Sequence, residues 1–312
     1  MQGYHGRMYS YRHGFHAGNH ADVLKHATLI AILRHLLQKE GAITVVDTHA
    51  GAGLYRLDGD LSEKGGEAVD GVLKLLARFS PLGTQGKSLA PALLDYLELV
   101  QSFNSGAKLK VYPGSPFVAQ RLLRQAARDK LKLFEMHPTD SQALAGNIAQ
   151  LAAGRQVAVA RQDGFEGLRA LLPPPNRRAL VLIDPSYEIK SDYAKVSACI
   201  QDCLLRFATG VYAIWYPVIP RPEAHDLPRR LKTLAQKTAR PWLHAVLNIG
   251  HVDGPVAVAL PGERKTGHGL SASGMFIINP PHSLQPALAL ALPQLLQVLG
   301  RGAGKGFTLD VG

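Results

Sequence analysis

The chain has 312 residues, 46% of them hydrophobic and 19% charged, a composition typical of a folded globular protein. No run of 18 apolar residues and no apolar N-terminal segment occurs, so the sequence argues against a membrane span and a signal peptide and predicts a cytoplasmic location. The formal net charge of +11 favours a polyanionic partner, although a basic protein that binds no nucleic acid is the alternative. Cys199 and Cys203 lie four residues apart on a predicted helix, which indicates a reduced protein without a disulfide framework.

The first predicted element is an amphipathic helix over residues 21–39. Its apolar residues recur with helical spacing, at Leu29, Ile32, Leu33 and Leu36. Either Gly18 or Asn19 is the predicted cap at its start, and Gly41 is the predicted end.

Histidines precede this helix at a spacing that metal sites use. His16 and His20 lie four residues apart, but no third ligand follows at a recognisable offset. Metal binding is therefore a minority hypothesis, and a metal hydrolase using His13, His16 and His20 is the weakest functional alternative. No metal site is predicted.

A glycine-rich turn follows the first predicted strand, residues 43–47. The turn reads Thr48-His49-Ala50-Gly51-Ala52-Gly53, and the dinucleotide fingerprint fails because Arg56 stands where its third glycine belongs. The pattern D-x-H-x-G-x-G resembles the first motif of class I S-adenosylmethionine methyltransferases. By itself it is a weak signal, because glycines also end strands for structural reasons.

Residues 56–110 interrupt the alternation of strands and helices. Two helical patterns occur, one through residues 72–79 and one through residues 93–100, with Pro91 suited to the first turn of the second. The segment 83–88 imitates the end of a phosphate-binding loop, but it lacks the leading glycine and the preceding strand. This region is predicted to be a helical insertion after the first strand.

The alternation then resumes. The predicted elements are a helix after Pro116, a strand over 131–135, a helix over 141–153, a strand over 156–160 and a strand over 180–184. Glu135 ends the first of these strands, where an acidic residue commonly binds ribose hydroxyls, although a glutamate without a ligand fits equally well. Asp163 and Gly164 follow the next strand.

The strand over 180–184 is the most informative element. The five apolar residues 179–183 predict burial on both faces, and Pro185 ends the strand at Asp184. Ligands bind at the carboxyl ends of such strands. A hydrogen-bond acceptor, a stiff turn and the aromatic ring of Tyr187 suit a planar substrate that carries an amino group.

The remaining predicted elements follow the strand over 180–184. They begin with a helix over 193–207, a strand over 210–216 and a basic helix over 221–240. Two strands over 244–249 and 275–278 suggest a hairpin at the sheet edge, and the flexible loop over 262–274 carries Arg264, Lys265 and His268. The Gly-rich tail after Gly300 is expected to be disordered. The basic helix is either a solvated face or a phosphate-binding surface.

Beyond these patterns, the chain resembles a known family. Asp184-Pro185-Ser186-Tyr187 is similar to the Asp/Asn-Pro-Pro-Tyr/Phe motif of methyltransferases that act on exocyclic amines. The blocks that resemble the bacterial large-subunit ribosomal RNA adenine-N6 methyltransferase J family are residues 11–26, 47–53, 112–116, 206–210 and 215–217. The resemblance extends from Met8 to about Pro281.

This resemblance implies a Rossmann-like class I α/β fold with a mainly parallel sheet, an antiparallel edge and a small helical insertion after the first strand. Residues 1–55 and 111–312 would form the core, with an N-terminal RNA- and cofactor-contacting segment over 8–39, and residues 56–110 the insertion. The implied activity is N6-methylation of an adenine in 23S ribosomal RNA, free or partly assembled, with S-adenosylmethionine. No protein partner and no membrane are predicted.

The site residues follow from the same resemblance. The implied cofactor-binding residues are Lys25, His26, Asp47, His49, Gly51, Gly53, Ser115, Glu135, Asp163, Gly164 and Asp184. The implied RNA contacts are Tyr11, Arg12 and Tyr187, with Lys25 facing either the cofactor or the RNA backbone.

Catalysis is assigned to Asp184, Pro185 and Tyr187. The Asp184 carboxylate and the Pro185 carbonyl would orient the amine, and Tyr187 would stack on the base. Two departures from the family pattern are Ser186, in place of the second proline, and the extra residues 1–7. A DNA adenine methyltransferase and a non-catalytic RNA-binding protein with a cofactor fold are the alternatives.

Overall fold

The computed structural model describes residues 16–58, 67–79, 89–106, 108–151, 153–251 and 270–312. Several sequence predictions lie outside these residues. They concern the segment 1–7, Tyr11, Arg12 and His13, the phosphate-loop imitation at 83–88, and most of the loop over 262–274, including Arg264, Lys265 and His268.

Ten strands form in the described part of the chain. They are β1 (Thr44–Asp47), β2 (Leu54–Arg56), β3 (Val111–Pro113), β4 (Lys130–Phe134), β5 (Val157–Ala160), β6 (Ala179–Ile183), β7 (Val211–Pro217), β8 (Trp242–Asn248), β9 (Ala272–Ile278) and β10 (Gly306–Val311).

The same residues also form α-helices. They are α1 (His20–Leu36), α2 (Val72–Phe79), α3 (Pro91–Gln101), α4 (Ser115–Leu122), α5 (Pro138–Ala149), α6 (Gly164–Leu171), α7 (Ser191–Arg206), α8 (Pro222–Lys237) and α9 (Leu284–Leu299). None of them is long and apolar enough to cross a membrane.

The main sheet has the order β5-β4-β1-β6-β7-β9-β8-β10. Its first five strands are parallel, while β9 runs antiparallel to both β7 and β8, and β10 runs antiparallel to β8. The predicted α/β class with a mainly parallel sheet and an antiparallel edge is confirmed. Because β1 pairs with both β4 and β6, the carboxyl ends of these three strands meet at one edge.

Helix α1 is buried on nearly all sides rather than amphipathic. The helix packs against β7, β9, α3, α4 and α9, which covers both its apolar and its polar faces. Its start is as predicted, because Asn19 Oδ1 accepts hydrogen bonds from the amides of Ala21 and Asp22 at 2.9 Å. The predicted end at Gly41 is wrong, since the helix stops at Leu36 with Leu37 as its cap.

The two helices predicted between residues 56 and 110 form as α2 and α3, with Pro91 in the first turn of α3. Strands β2 and β3 flank this region and pair Arg56 with Val111. We propose to retain the division into a core and an insertion over 56–110, because this pairing brings both ends of the insertion together.

The C-terminal region differs most from the sequence prediction. The two predicted strands form and pair antiparallel with each other, as the predicted hairpin requires, but β10 pairs with β8, so neither is the edge strand. The tail after Gly300 is an ordered strand, β10, because its backbone pairs with β8 from Gly306 to Val311. Helix α9 was not predicted, since Pro286 and Pro293 interrupt its apolar pattern.

Helices cover both faces of the sheet. Buried residues of α1, α3, α4 and α9 pack on one face, and buried residues of α6, α7 and α8 pack on the other. Strand β6 is buried along its whole length, as its run of apolar residues predicts. The carboxyl ends of β1, β4 and β6 therefore lie at an edge between the two helical layers.

Candidate active site

A cleft lies at the carboxyl ends of β1, β4, β5 and β6. The residues that line it are Lys25, His26, His49, Ala50, Gly51, Tyr55, Gly114, Ser115, Glu135, Met136, His137, Asp140, Asp163, Asp184, Pro185, Ser186, Glu188, Ile189 and Lys195. Of the residues assigned to cofactor binding, eight line this cleft. Asp47, Gly53 and Gly164 are not among the lining residues.

Glu135 is held by main-chain donors at the cleft wall. Its Oε2 accepts a hydrogen bond from the amide of Gly51 at 2.7 Å, and its Oε1 accepts one from the amide of His137 at 2.7 Å. Gly51 adopts a φ of 59°, a conformation that favours glycine, so the turn after β1 can present its amide to Glu135. Burial raises the pKa of Glu135 above its usual value.

Asp47 supports the cleft from beneath. It is 2% exposed, and its Oδ2 accepts a hydrogen bond from Ser115 Oγ at 2.6 Å while its Oδ1 accepts one from the amide of His49 at 3.2 Å. Burial raises the pKa of Asp47 to about 6, and these two hydrogen bonds limit the rise. The carboxylate thus orients Ser115, which does line the cleft.

His49 and the start of α6 form another part of the wall. Burial lowers the pKa of His49 to about 4, so the ring is neutral at neutral pH. The Asp163 side chain caps α6, because its Oδ1 accepts a hydrogen bond from the amide of Phe165 at 2.8 Å. Gly164 packs so closely that a Cβ there would lie 2.0 Å from the Thr48 carbonyl oxygen, so only glycine allows this approach.

His26 lines the cleft from α1. Its Nδ1 shares a hydrogen bond with Tyr112 Oη at 2.8 Å, and the Tyr96 hydroxyl lies 3.1 Å from the Tyr112 hydroxyl. Tyr112, which lies on β3, therefore fixes the position of this imidazole.

Lys25 joins α1 to the end of β6. Its Nζ lies 2.5 Å from Asp184 Oδ2 and 2.9 Å from Asp22 Oδ1, and its side chain is 5% exposed. Burial lowers the pKa of Lys25, but the two carboxylates outweigh burial and hold it well above its usual value. The ammonium also lies 5.7 Å from the centre of the Trp215 ring. Because Lys25 is buried against Asp184, the alternative that it contacts the RNA backbone is not supported.

Tyr187 does not present an open aromatic face. It is 2% exposed, its hydroxyl donates to the Trp215 carbonyl oxygen at 2.7 Å, and its ring centre lies 4.6 Å from that of Tyr193. The expectation that this ring stacks on a base is corrected here, because the ring packs inside the protein. The motif residues that do face the cleft are Asp184, Pro185 and Ser186.

The histidines at the start of α1, His16 and His20, lie outside this cleft. His16 Nδ1 lies 3.0 Å from Glu67 Oε1, and Asn19 Nδ2 donates to Glu67 Oε2 at 2.8 Å. Burial lowers the pKa of His20 to about 4. Over the described residues, no group of three His, Cys, Asp or Glu side chains has the geometry to hold a metal.

Nine further residues line the cleft that the sequence analysis did not assign to the site. They are Ala50, Tyr55, Gly114, Met136, His137, Asp140, Glu188, Ile189 and Lys195. Met136 and His137 directly follow Glu135, so their position after β4 was the available signal. Met136 is 47% exposed, which leaves an apolar side chain at the mouth of the cleft.

The residues present fit S-adenosylmethionine. Glu135 offers a carboxylate whose oxygens are already aimed by the amides of Gly51 and His137, and a carboxylate in this place suits a ribose diol. Met136 and Ile189, 47% and 44% exposed, offer apolar contacts for a planar base.

Comparisons with known proteins agree with this site. Residues 40–309 match the family model described as Ribosomal RNA large subunit methyltransferase D, RlmJ. The protein named Ribosomal RNA large subunit methyltransferase J of Escherichia coli is 39% identical over 92% of this chain and 93% of its own. The protein of the same name from Haemophilus influenzae is 39% identical over 94% of each chain.

A solved structure from Legionella pneumophila has the same fold. It superposes with a TM-score of 0.77 at 30% sequence identity and covers 95% of this chain and 98% of its own. Because the family model and both relatives span nearly the whole sequence, the chain belongs to the ribosomal RNA large-subunit methyltransferase family RlmJ.

Proposed function

We propose that this enzyme transfers a methyl group from S-adenosylmethionine to the exocyclic N6 of an adenine in 23S ribosomal RNA. The single observation that carries this proposal is the position of Asp184 and Pro185 in one cleft with Glu135 and Gly51. Asp184 and Pro185 form an end of the cleft that can accept hydrogen bonds from an amine. This end adjoins the wall of Glu135 and Gly51, which suits the cofactor. The names of the two relatives support an RNA substrate of the large subunit.

Cofactor binding involves both walls of the cleft. Glu135 would accept the ribose hydroxyls, and Met136 and Ile189 would contact the adenine ring. When bound, the cofactor supplies an electrophilic methyl group on a positively charged sulfur. The protein then has to supply orientation rather than covalent chemistry.

The amine nitrogen is a weak nucleophile, because its lone pair is delocalised into the adenine ring. The Asp184 carboxylate and the Pro185 carbonyl would each accept one N–H and turn the lone pair towards the methyl group. Among the described residues, the Asp184 carboxylate takes only one protein hydrogen bond, from Lys25 to Oδ2. Oδ1 is therefore the atom available for the substrate.

The proton balance involves the same carboxylate. As the new N–C bond forms, the S–C bond breaks and leaves a neutral thioether, while the nitrogen becomes positively charged and acidic. Asp184 or water takes one of its protons. Lys25 stays charged beside Asp184 and holds the carboxylate in place.

RNA contacts outside the cleft are assigned to basic and aromatic residues. Tyr11 and Arg12 keep the RNA-contacting role implied by the family resemblance. Helix α8 carries Arg229, Arg230, Lys232 and Lys237, which suit phosphate contacts. Action in the cytoplasm, on free or partly assembled 23S RNA, completes the proposal.

The test is methyl incorporation with radiolabelled S-adenosylmethionine. Protein-free 23S RNA, assembled large subunits and duplex DNA are offered in parallel, and labelled nucleosides are identified by chromatography. We expect N6-methyladenosine in 23S RNA. Incorporation into DNA alone would instead identify a DNA methyltransferase, and cofactor binding without incorporation into any substrate would identify a non-catalytic RNA-binding protein.

A variant of Asp184 tests the site within the same assay. Asp184→Ala should abolish methyl transfer, because it removes the acceptor that orients the amine, while calorimetry still detects cofactor binding. Asp226→Ala is the matched control, since it removes a carboxylate from helix α8, where Arg229 is its partner. Near-normal turnover by Asp184→Ala would contradict the assigned role.

A further inference from the structure

The turn that carries the candidate catalytic residues has an unusual backbone. Tyr187 adopts a φ of 55°, which residues other than glycine rarely adopt. Such a conformation is unfavourable and persists only where surrounding contacts hold it. Because Asp184 and Pro185 lie immediately before this residue, the contacts that hold Tyr187 also determine where the two acceptors point.

Arg221 supplies one of these contacts. Its Nη1 donates a hydrogen bond to the Tyr187 carbonyl oxygen at 3.2 Å. Its own backbone is fixed, since its amide donates to the Ile219 carbonyl oxygen at 2.7 Å. Arg221 lies between β7 and α8, so it ties the turn after β6 to the neighbouring parallel strand.

The guanidinium of Arg221 is not engaged by a carboxylate in the described part of the chain. Glu223, two residues away, pairs instead with Lys190, at 3.7 Å. Among the described residues, the hydrogen-bond acceptor for this half-buried guanidinium is therefore the Tyr187 carbonyl oxygen. Because the guanidinium is charged, this hydrogen bond is charge-assisted.

Ser186 makes this contact more important. A second proline in the turn would restrict the backbone of Pro185, and serine leaves that backbone freer. On the opposite side, the Tyr187 hydroxyl anchors the ring to the Trp215 carbonyl oxygen at 2.7 Å. The turn is thus held from β7 at the ring and from the start of α8 at the main chain.

We propose that Arg221 is a positioning residue for methyl transfer, which holds the turn of Asp184 and Pro185 in the geometry that orients the amine. It acts through the backbone of Tyr187 and does not touch the reacting atoms. This inference rests on the proposed methyltransferase activity.

The test compares Arg221→Ala with the parent enzyme in steady-state methylation of 23S RNA. We expect kcat to fall roughly ten- to hundredfold, the range that the loss of a hydrogen bond to a charged group supports. KM for the cofactor and for RNA should stay within about twofold of the parent values. Arg221→Lys, which keeps a charged donor, should recover most of kcat. Arg155→Ala is the control, because it removes an equal charge from an exposed residue just before β5.

A second substitution tests the turn directly. Ser186→Pro should raise kcat of Arg221→Ala several-fold more than it raises kcat of the parent, since proline restores rigidity by another route. Tyr187→Phe should lower kcat without changing KM, because it removes the anchor on the opposite side. This variant keeps the test informative if Arg221→Ala does not fold, which a thermal unfolding measurement detects.

Three outcomes would overturn the inference. The first is an unchanged kcat in folded Arg221→Ala, and the second is no recovery of kcat when Ser186→Pro is added to that variant. The third is a raised KM for RNA in Arg221→Ala, with a normal kcat and a weaker salt dependence of RNA binding, which would identify Arg221 as a phosphate contact instead. An inactive parent enzyme would refute the proposed function itself, so the two failures are distinguishable.

Discussion

Replacing Lys25 with methionine should lower the free energy of unfolding by about 3–5 kcal/mol, the cost of breaking a buried ion pair on one side. Lys25 lies between Asp22 and Asp184 at 2.9 Å and 2.5 Å, and all three side chains are at most 13% exposed. Methionine has a similar length but no charge, so both carboxylates would be left in a site with little access to water. The lost charge, rather than lost packing, causes the destabilisation.

The assay is urea unfolding followed by circular dichroism at pH 7.5, with the parent protein alongside. Arg34→Met is the matched control, because its pair with Asp95, at 3.1 Å, has side chains 54% and 34% exposed. Such an exposed pair contributes about 0.2–1 kcal/mol. Lys25→Met combined with Asp22→Asn should recover part of the loss, since one uncompensated carboxylate remains. A loss for Lys25→Met no larger than that of the control would refute the buried pair.

Further predictions concern the cleft wall. Burial raises the pKa of the Asp47 carboxyl group from 3.8 to about 6, so the folded protein binds the carboxyl proton more tightly than the unfolded chain does. The stabilisation that comes from this bound proton is fully present below pH 3.8 and is lost as the pH rises through 6. The stability of Asp47→Asn relative to the parent should therefore increase by about 1.5 kcal/mol between pH 5 and pH 7.5 in urea unfolding, and a flat difference would contradict this. Gly164→Ala should cost about 1–3 kcal/mol, because its Cβ would lie 2.0 Å from the Thr48 carbonyl oxygen. Gly146→Ala is the control, because Gly146 is an exposed residue of α5 and its Cβ would meet no atom within 4 Å, so this change should stabilise the protein by about 0.5–1 kcal/mol. Equal thermal shifts for the two glycine variants would exclude the close approach.

Local patterns predicted the elements that depend on neighbouring residues. Strand β6 is continuous in apolar residues and buried throughout, and Pro185 ends it beside Asp184. Asn19 caps α1 with its own side chain, and Pro91 starts α3. These features depend on backbone preferences and on hydrogen bonds within a few residues, which are readable from the sequence.

Patterns failed where the partner of an element lies far along the chain. The tail after Gly300 is rich in glycine, but it forms β10 because an edge of β8 is available for pairing. Helix α1 is covered on several sides by helices whose sequences give no sign of that contact. The position of β9 between β7 and β8 likewise depends on sheet topology rather than on its own residues.

By itself the sequence determined the α/β class, the family and the motif around Asp184, because each depends on residue order. Only the tertiary structure decided how the motif is held: Lys25 is 159 positions from Asp184 and Arg221 is 34 positions from Tyr187. It also decided that the Tyr187 ring is buried rather than open to a base. A hydrogen bond or an ion pair requires atoms within a few ångströms of each other, and only the folded chain brings such distant residues together.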